Sequence, residues 1–316
     1  MIGLGLIGCG AWGINYLRTL SLIPQAEVLY VCDLDEITLR KVKLAYPHLN
    51  VTTSYRNLLK DEKVRGVIIA TPPKAHLSIA SDFLRQKKAV LIEKPATLSY
   101  DDAKMLVESA QKNKTVLMAG HLMEYHPVIV KLKEYVSQGV LGELRYILME
   151  RDNPGKNRTD VSVLWDLAVH DLSIIRFLVD QEPKWVSAQG ESYLLDGIHD
   201  LVTITIGFQK ELFVQIHANW MYPVRKRQII VSGHKMSAVI YDVRKNHGLL
   251  LISQNGDIIM PKLEETLPLT SQCLHFIECI KQNNEPQTGS RDILWIMKNM
   301  DLIEQSLCNI GTRLYF

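Results

Sequence analysis

Apolar positions in the first third of this chain fall in short unbroken runs, each followed by a segment with helical spacing. Met1 to Ile7 and Val28 to Cys32 are the first two runs, and a short strand is expected near Val51. Gly66 to Ala70, Ala89 to Ile92 and Val116 to Ala119 complete the set. Continuous runs of this kind suit strands buried on both faces, as a parallel sheet requires. Between them, Ile14 to Ile23, Asp35 to Ala45, Tyr55 to Leu59 and Lys74 to Gln86 read as helices. Leu39, Val42 and Leu44 are expected on the inner side of the second helix. Ser99 caps a further helix to about Lys112, with Asp102 at the capping-box position. Six strands with five crossovers predict an α/β fold with a doubly wound parallel sheet over residues 1–120.

The rhythm changes after Gly120. Pro127 to Gln138 is one helix, stopped by Gly139, and beyond Gly142 the strands alternate and have short connections. Leu201 to Phe208 and Leu212 to Trp220 flank Gln209-Lys210-Glu211, a hairpin signal. Gln228 to Val231 and Ala238 to Tyr241 form a second pair. Leu249 to Gln254 and Asp257 to Met260 flank Asn255-Gly256, the strongest short hairpin signal in the chain. Helices from about Thr270 to Gln282 and from Ile293 to Cys308 close it. Residues 121–316 are thus expected to form an α+β domain on a largely antiparallel open sheet.

Chemistry enters at the first turn. Gly8-Cys9-Gly10-Ala11-Trp12-Gly13 follows the first strand at once and opens a helix, the context that a G-x-G-x-x-G loop needs before it means a dinucleotide. Gly8 permits the tight turn, Gly10 lets backbone approach a pyrophosphate, and Gly13 lets the helix pack on the strand. The helix N-terminus offers N–H groups to phosphates. Asp33 ends the second strand twenty residues after Gly13, where a ribose-binding carboxylate belongs in a Rossmann domain. Its charge favours NAD over NADP, whose 2′-phosphate it repels, and no arginine directly follows it; Arg40 and Lys41 lie a helix turn or two away. Thr71 and Pro72, where the fourth strand breaks, are expected to line the cofactor cleft through backbone contacts. For His76 just beyond, approach to the adenine or pyrophosphate side and helix capping are equal readings.

Composition narrows the rest. A 316-residue chain suits two domains, and 47% hydrophobic with 22% charged residues describes an ordinary protein with a sizeable core. A net charge of +2 without a long basic run or interleaved aromatics gives no argument for nucleic acid. No stretch approaches the apolar length of a membrane helix, and the apolar start lacks the flanks of a signal peptide. Five cysteines without C-x-x-C spacing read as buried thiols in a reducing cytoplasm, and Cys9 as a packing residue.

The glycine loop, the Thr71-Pro72-Pro73 break with His76, the Glu93-Lys94-Pro95 strand end and Asp166-Leu-Ala-Val-His170 occur in order. Together they resemble the glucose-fructose oxidoreductase, inositol dehydrogenase and MocA-like family over nearly the whole chain. The Gly142-Glu143 turn and the Pro268 to Ile280 segment match as well. Within it, Asn157-Arg158-Thr-Asp160-Val to Trp165-Asp166-Leu-Ala-Val-His170-Asp171 is similar to nucleotide-sugar 3-dehydrogenases. Those enzymes oxidise a UDP-linked N-acetylamino sugar on routes to surface polysaccharide or lipid A precursors. The resemblance implies that Lys94 hydrogen-bonds the reacting hydroxyl and the nicotinamide ribose. Glu93 is expected to shape the loop or touch the nicotinamide side rather than transfer protons.

Asp166 and His170 stand four residues apart and share a helix face, with Leu164, Leu167, Ile174, Ile175 and Leu178 on the buried side. Histidine titrates near neutrality, so His170 is assigned as general base with Lys94 as polarising partner; the reverse assignment is open. Asp166 can orient the imidazole, stabilise its cation or bind the substrate hydroxyl. A metal between Asp166 and His170 is rejected, since no further histidine or cysteine cluster completes a zinc set. Tyr125 is placed either in the nicotinamide pocket or in aromatic packing. Arg158, Arg225 and Arg227 suit a sugar diphosphate, or a solvated strand or subunit boundary.

The expected activity is NAD-dependent oxidation of a secondary hydroxyl, at C3, of a sugar and specifically a UDP-N-acetylamino sugar. Rivals are a glycosidase using a transient 3-keto sugar, an NADP-dependent keto-sugar reductase, and a redox-silent sugar or dinucleotide sensor. Alternation of Val202, Ile204 and Ile206 with Thr203 and Thr205, and of Leu212, Val214 and Ile216 with Phe213 and Gln215, predicts a mixed outer sheet face. Such a face suits a homodimer or homotetramer.

Overall fold

The computed structural model describes residues 1–154, 159, 161–241 and 248–316, and these form two compact units. The first comprises Met1–Leu122 with Leu267–Met297, and the second Met123–Thr266 with Lys298–Phe316.

The first unit alternates strand and helix: β1 (Ile2–Ile7), α1 (Gly13–Leu20), β2 (Ala26–Cys32), α2 (Glu36–Ala45), β3 (Asn50–Thr52), α3 (Arg56–Lys60), β4 (Gly66–Ile69), α4 (His76–Arg85), β5 (Ala89–Ile92), α5 (Tyr100–Asn113) and β6 (Leu117–Ala119). The strands form one parallel sheet in the order β3-β2-β1-β4-β5-β6. Every residue of β4 and β5 is buried, which is why their sequences read as solid apolar runs. The order reverses between β1 and β4, so the carboxyl ends of these strands frame the crevice where such sheets hold ligands. Asp35 caps α2 by accepting from the amides of Ile37 and Thr38, and Ser99 caps α5 by accepting from Asp102. Leu44 is 83% exposed, contrary to expectation. Two residues turn a helix by about 200°, so Leu44 points away from the Leu39–Val42 stripe that meets the sheet.

The second unit begins with α6 (Pro127–Ser137) and β7 (Leu144–Asp152). A π-helical stretch, Leu164–Ala168, runs directly into α7 (Val169–Val179). Then come β8 (Trp185–Glu191), β9 (Leu201–Gly207), β10 (Phe213–Asn219), β11 (Lys226–Gly233), β12 (Met236–Ile240), β13 (Leu249–Ser253) and β14 (Ile258–Ile259). The described strands, with the late β15 (Leu314–Tyr315), make a mixed sheet in the order β14-β13-β12-β11-β7-β10-β9-β8-β15. All its pairings are antiparallel except β7 with β10. Val202, Ile204 and Ile206 are buried while Thr203 and Thr205 are partly exposed, so β9 has the alternation its sequence predicts.

Between these sheet strands and β15 lie α8 (Pro268–Gln282) and α9 (Ser290–Cys308). α8 belongs to the first unit, where it packs against α1. Cys9, Cys32, Cys273 and Cys279 are buried free thiols, but Cys308 at the end of α9 is exposed, which corrects the expectation that all five are buried. Among the described residues no helix is long and apolar enough to cross a membrane.

Candidate active site

At the carboxyl edge of the parallel sheet the glycine loop is built by exclusion. Gly8 has φ of +85°, and a Cβ there would sit 2.6 Å from the Ala70 carbonyl oxygen. A Cβ on Gly13 would run into the Gly8 carbonyl, so the helix can approach the strand this closely only with glycine. A Cβ on Gly10 would meet nothing within 4 Å, leaving open space beside the loop backbone. Helix α1 has no side-chain cap and no acid in its first turn, so its leading N–H groups are not claimed by a local carboxylate. Asp33 is half-buried at the end of β2 and ties that strand to the loop. Its Oδ2 accepts from the Cys9 amide at 2.6 Å and its Oδ1 from the Asp35 amide at 2.9 Å. The Thr71 hydroxyl is buried and has no hydrogen-bond partner. Open space at Gly10, a helix start without a side-chain cap, a carboxylate at the end of β2 and an orphan hydroxyl on one sheet edge fit a dinucleotide.

The next strand end carries Glu93, Lys94 and Pro95, with a cis Lys94–Pro95 peptide. Glu93 is 9% exposed. Its Oε1 accepts from the Trp12 indole N–H at 2.7 Å and from the Tyr16 hydroxyl at 2.6 Å, and its Oε2 from the Lys94 amide at 3.1 Å. Burial pushes its pKa up, while the Tyr16 hydrogen bond, the Lys94 charge, and the Trp12 and Lys94 N–H groups pull it down. Tyr16 lies 3.0 Å from Gln272 Oε1, while Gln272 Nε2 is buried without a partner. Turning that amide over lets its N–H donate to the Tyr16 oxygen while the Tyr16 hydroxyl donates to Glu93.

Two buried histidines belong to this sheet edge. His76 is fully buried, its Nδ1 3.0 Å from the Pro95 carbonyl and its Nε2 2.9 Å from the Thr71 carbonyl. It therefore stitches the β4 turn to the β5 turn, and neither ring nitrogen is presented to a nucleotide. His121, just past β6, is 2% exposed with no partner at Nδ1. Burial first, then the Lys94 charge, push its pKa down to about 4.

In the second unit the π-helical stretch sets the presentation of Asp166 and His170. From Val163 to Arg176 only these two side chains are partly exposed; every other residue is buried. The wider π turn replaces the regular i, i+4 geometry read from sequence, and such bulges are frequent at functional sites. Beside His170, Asp171 forms a buried two-pronged pair with Arg151 of β7, the Arg151 Nε at 3.0 Å from both carboxylate oxygens and an NH2 nitrogen at 2.6 Å. That pair anchors the start of α7 to the sheet. Tyr125 is 7% exposed in a short 3₁₀ turn. Arg225 is exposed and donates from Nε to Asn153 at 2.7 Å. Arg158 lies outside the described residues.

The first unit thus gathers the glycine loop, Asp33, Thr71, Glu93 and Lys94 at one sheet edge, and the second presents Asp166 with His170. Sequence reasoning missed Tyr16, His121, Gln272, Arg151 and Asp171. The first three fall in apolar surroundings, where the only signal is a polar atom that burial forces to find a partner.

Residues 2–121 match the oxidoreductase family with an NAD-binding Rossmann fold, and residues 129–239 match its GFO/IDH/MocA C-terminal domain. An uncharacterized oxidoreductase of Streptococcus pneumoniae is 24% identical, the match spanning 95% of this chain and 85% of that one. A UDP-N-acetylglucosamine 3-dehydrogenase of Acidithiobacillus ferrooxidans is 32% identical over 61% of this chain and 59% of its own length. The crystal structure of UDP-N-acetylglucosamine 3-dehydrogenase from that organism superposes with a TM-score of 0.88 at 24% identity, covering 98% of each chain, which shows a shared fold. With both domains matched and the glycine loop built for a dinucleotide, this chain belongs to the glucose-fructose oxidoreductase, inositol dehydrogenase and MocA family of NAD-binding oxidoreductases.

Proposed function

We propose that this enzyme oxidises a secondary hydroxyl of a sugar, at C3 of a UDP-linked N-acetylamino sugar. The observation that carries the reading is the isolated exposure of Asp166 and His170 along an otherwise buried helical stretch. The π turn at Leu164–Ala168 leads into this partly exposed pair, and turns of that kind are frequent at functional sites. When bound, NAD supplies the acceptor for the hydride of the carbinol carbon. Lys94 donates a hydrogen bond to the reacting oxygen, His170 takes its proton, and Asp166 orients the imidazole and steadies its cation. Gly10 and the α1 amides hold the pyrophosphate, Asp33 the adenosine ribose, and Thr71 and Pro72 line the cleft. Tyr125 and Arg225 stand on the substrate side, Arg225 as a diphosphate contact. The nucleotide-sugar choice draws on the 32% identity to the Acidithiobacillus enzyme. The mixed outer face of the second sheet supports assembly as a homodimer or homotetramer.

The test is incubation of the purified protein with NAD and a panel of UDP-sugars, followed at the NADH absorbance. NADH formation with a UDP-N-acetylamino sugar is expected, and His170→Asn should lower kcat by roughly 100-fold or more with NAD affinity retained. Turnover of free sugars alone would overturn the substrate assignment. Glycoside cleavage without net NADH would replace oxidation with the elimination reaction. Unchanged turnover in His170→Asn would remove that residue from proton transfer.

A further inference from the structure

Glu93 is a buried carboxylate that the proposed chemistry does not consume. It stands 81 residues from Trp12 in sequence, yet the two side chains meet at 2.7 Å. Its contacts with the Trp12 indole, the Tyr16 hydroxyl and the Lys94 amide are all made by donors. An indole and a backbone amide can only donate, so whatever the Tyr16 hydroxyl does, these two contacts need carboxyl oxygens that accept. Burying a carboxylate is costly unless it is paired and hydrogen-bonded. Around it stand Tyr16 on α1, Cys273 on α8, Lys94 next in sequence, and Gly120, whose Cβ would lie 2.9 Å from Oε1. The Cys273 thiol is pushed up to about 12 and stays neutral, burial keeps Tyr16 protonated, and His121 is held neutral, so the compensating cation is Lys94.

Trp12 is 42% exposed in the middle of the glycine loop. Its only polar atom is turned inward to Glu93, so the exposed part of the ring is apolar carbon surface. Beside it, Gly10 opens onto free space. A flat apolar surface at that position suits packing against a dinucleotide.

We propose that Glu93 is a positioning residue: its carboxylate fixes the Trp12 indole as a wall of the NAD cleft and locks that wall to the main chain of Lys94. The proposal rests on the NAD-site reading of this sheet edge. It gives the anion a task that packing would not require, since an apolar side chain or a glutamine fills the same volume without the cost of a buried charge.

The test combines a spectrum and a binding cycle, neither of which needs the substrate. The Trp12 indole N–H resonance, assigned by its loss in Trp12→Phe, should lie downfield in the unaltered protein and move upfield in Glu93→Gln. NAD titration by calorimetry should show Kd rising about tenfold in Glu93→Gln, as for loss of one hydrogen bond to a charged group. Trp12→Phe keeps a ring, loses the N–H and should cost a similar factor. The double variant should lose no more than the worse single, because the two residues act through one contact. Additive losses, or an indole resonance that ignores Glu93→Gln, would overturn the proposal alone. Failure of the unaltered protein to bind NAD would overturn it together with the reading beneath it. Trp12 lies in an exposed loop, so its variant folds even where Glu93→Gln does not, and a Trp12→Phe protein with unchanged NAD affinity also defeats the wall.

Discussion

His121 shows how one side chain links this edge of the sheet to stability. Its pKa falls from 6.5 to about 4, first because burial penalises the imidazolium and then because Lys94 stands near. The unfolded chain therefore binds a proton that the folded chain refuses, and the stabilising contribution is complete above pH 6.5 and lost as pH falls toward 4. The full shift corresponds to about 3 kcal/mol. His126 works in the same direction: its Nδ1 accepts from the Val128 amide at the start of α6, and burial followed by Arg227 pushes its pKa to about 4. Glu93 works the other way, since its raised pKa makes the folded protein more willing to take a proton. Net loss of stability is expected between pH 6.5 and 5, before ordinary carboxylates titrate. Thermal melts across that range should show Tm falling with pH, and His121→Gln should flatten the fall. An equally steep fall in the variant would show that His121 is not the group responsible.

At the scale of elements, α7 is held by more than apolar packing. Arg151 and Asp171 are 3% and 2% exposed, so each is stranded if the other is removed. Arg151→Met should cost about 3–5 kcal/mol by denaturant unfolding, because a buried carboxylate loses its partner. Arg151→Met with Asp171→Leu should recover most of that loss. A double variant as unstable as the single would mean the pair contributes packing rather than charge compensation. The elements themselves were largely legible. Parallel strands announced themselves as solid apolar runs, Asn255-Gly256 marked its hairpin, and Gly256 indeed has φ of +89°. What sequence could not supply was partner choice. The parallel pairing of β7 with β10, the π turn ahead of His170 and the meeting of Glu93 with Trp12 all depend on surroundings far away in the chain. Candidate residues could be placed at strand ends, but their hydrogen bonds could not. His76 illustrates the difference, since both nitrogens turn to carbonyls that no local pattern marks.

Over the whole molecule, the chain leaves the first unit at Leu122 and returns to it at Leu267, a path that strand and helix rhythm does not reveal. The return has two consequences for the parallel sheet. Gln272, Cys273, Phe276 and Ile277 of α8 are buried, and a Cβ on Gly66 would strike the Ile280 side chain at 2.9 Å, so α8 covers apolar surface that residues 1–122 leave open. Thr288 also closes the sheet edge: its carbonyl accepts from the Ala119 amide at 2.8 Å, and its hydroxyl donates to the Ala119 carbonyl at 2.7 Å. Without that segment β6 is an edge strand of three buried residues with unpaired backbone groups, a template for association between copies. A fragment of residues 1–122 is therefore expected to aggregate or remain poorly folded, although it contains every strand of the NAD-binding sheet. Joining residues 267–297 to it through a short flexible linker should restore a monodisperse, NAD-binding protein, because the missing helix and edge cover arrive together. Light scattering and NAD calorimetry on the two fragments decide the matter. A soluble 1–122 fragment that binds NAD as tightly as the linked one would show that the returning segment serves the second half of the chain instead.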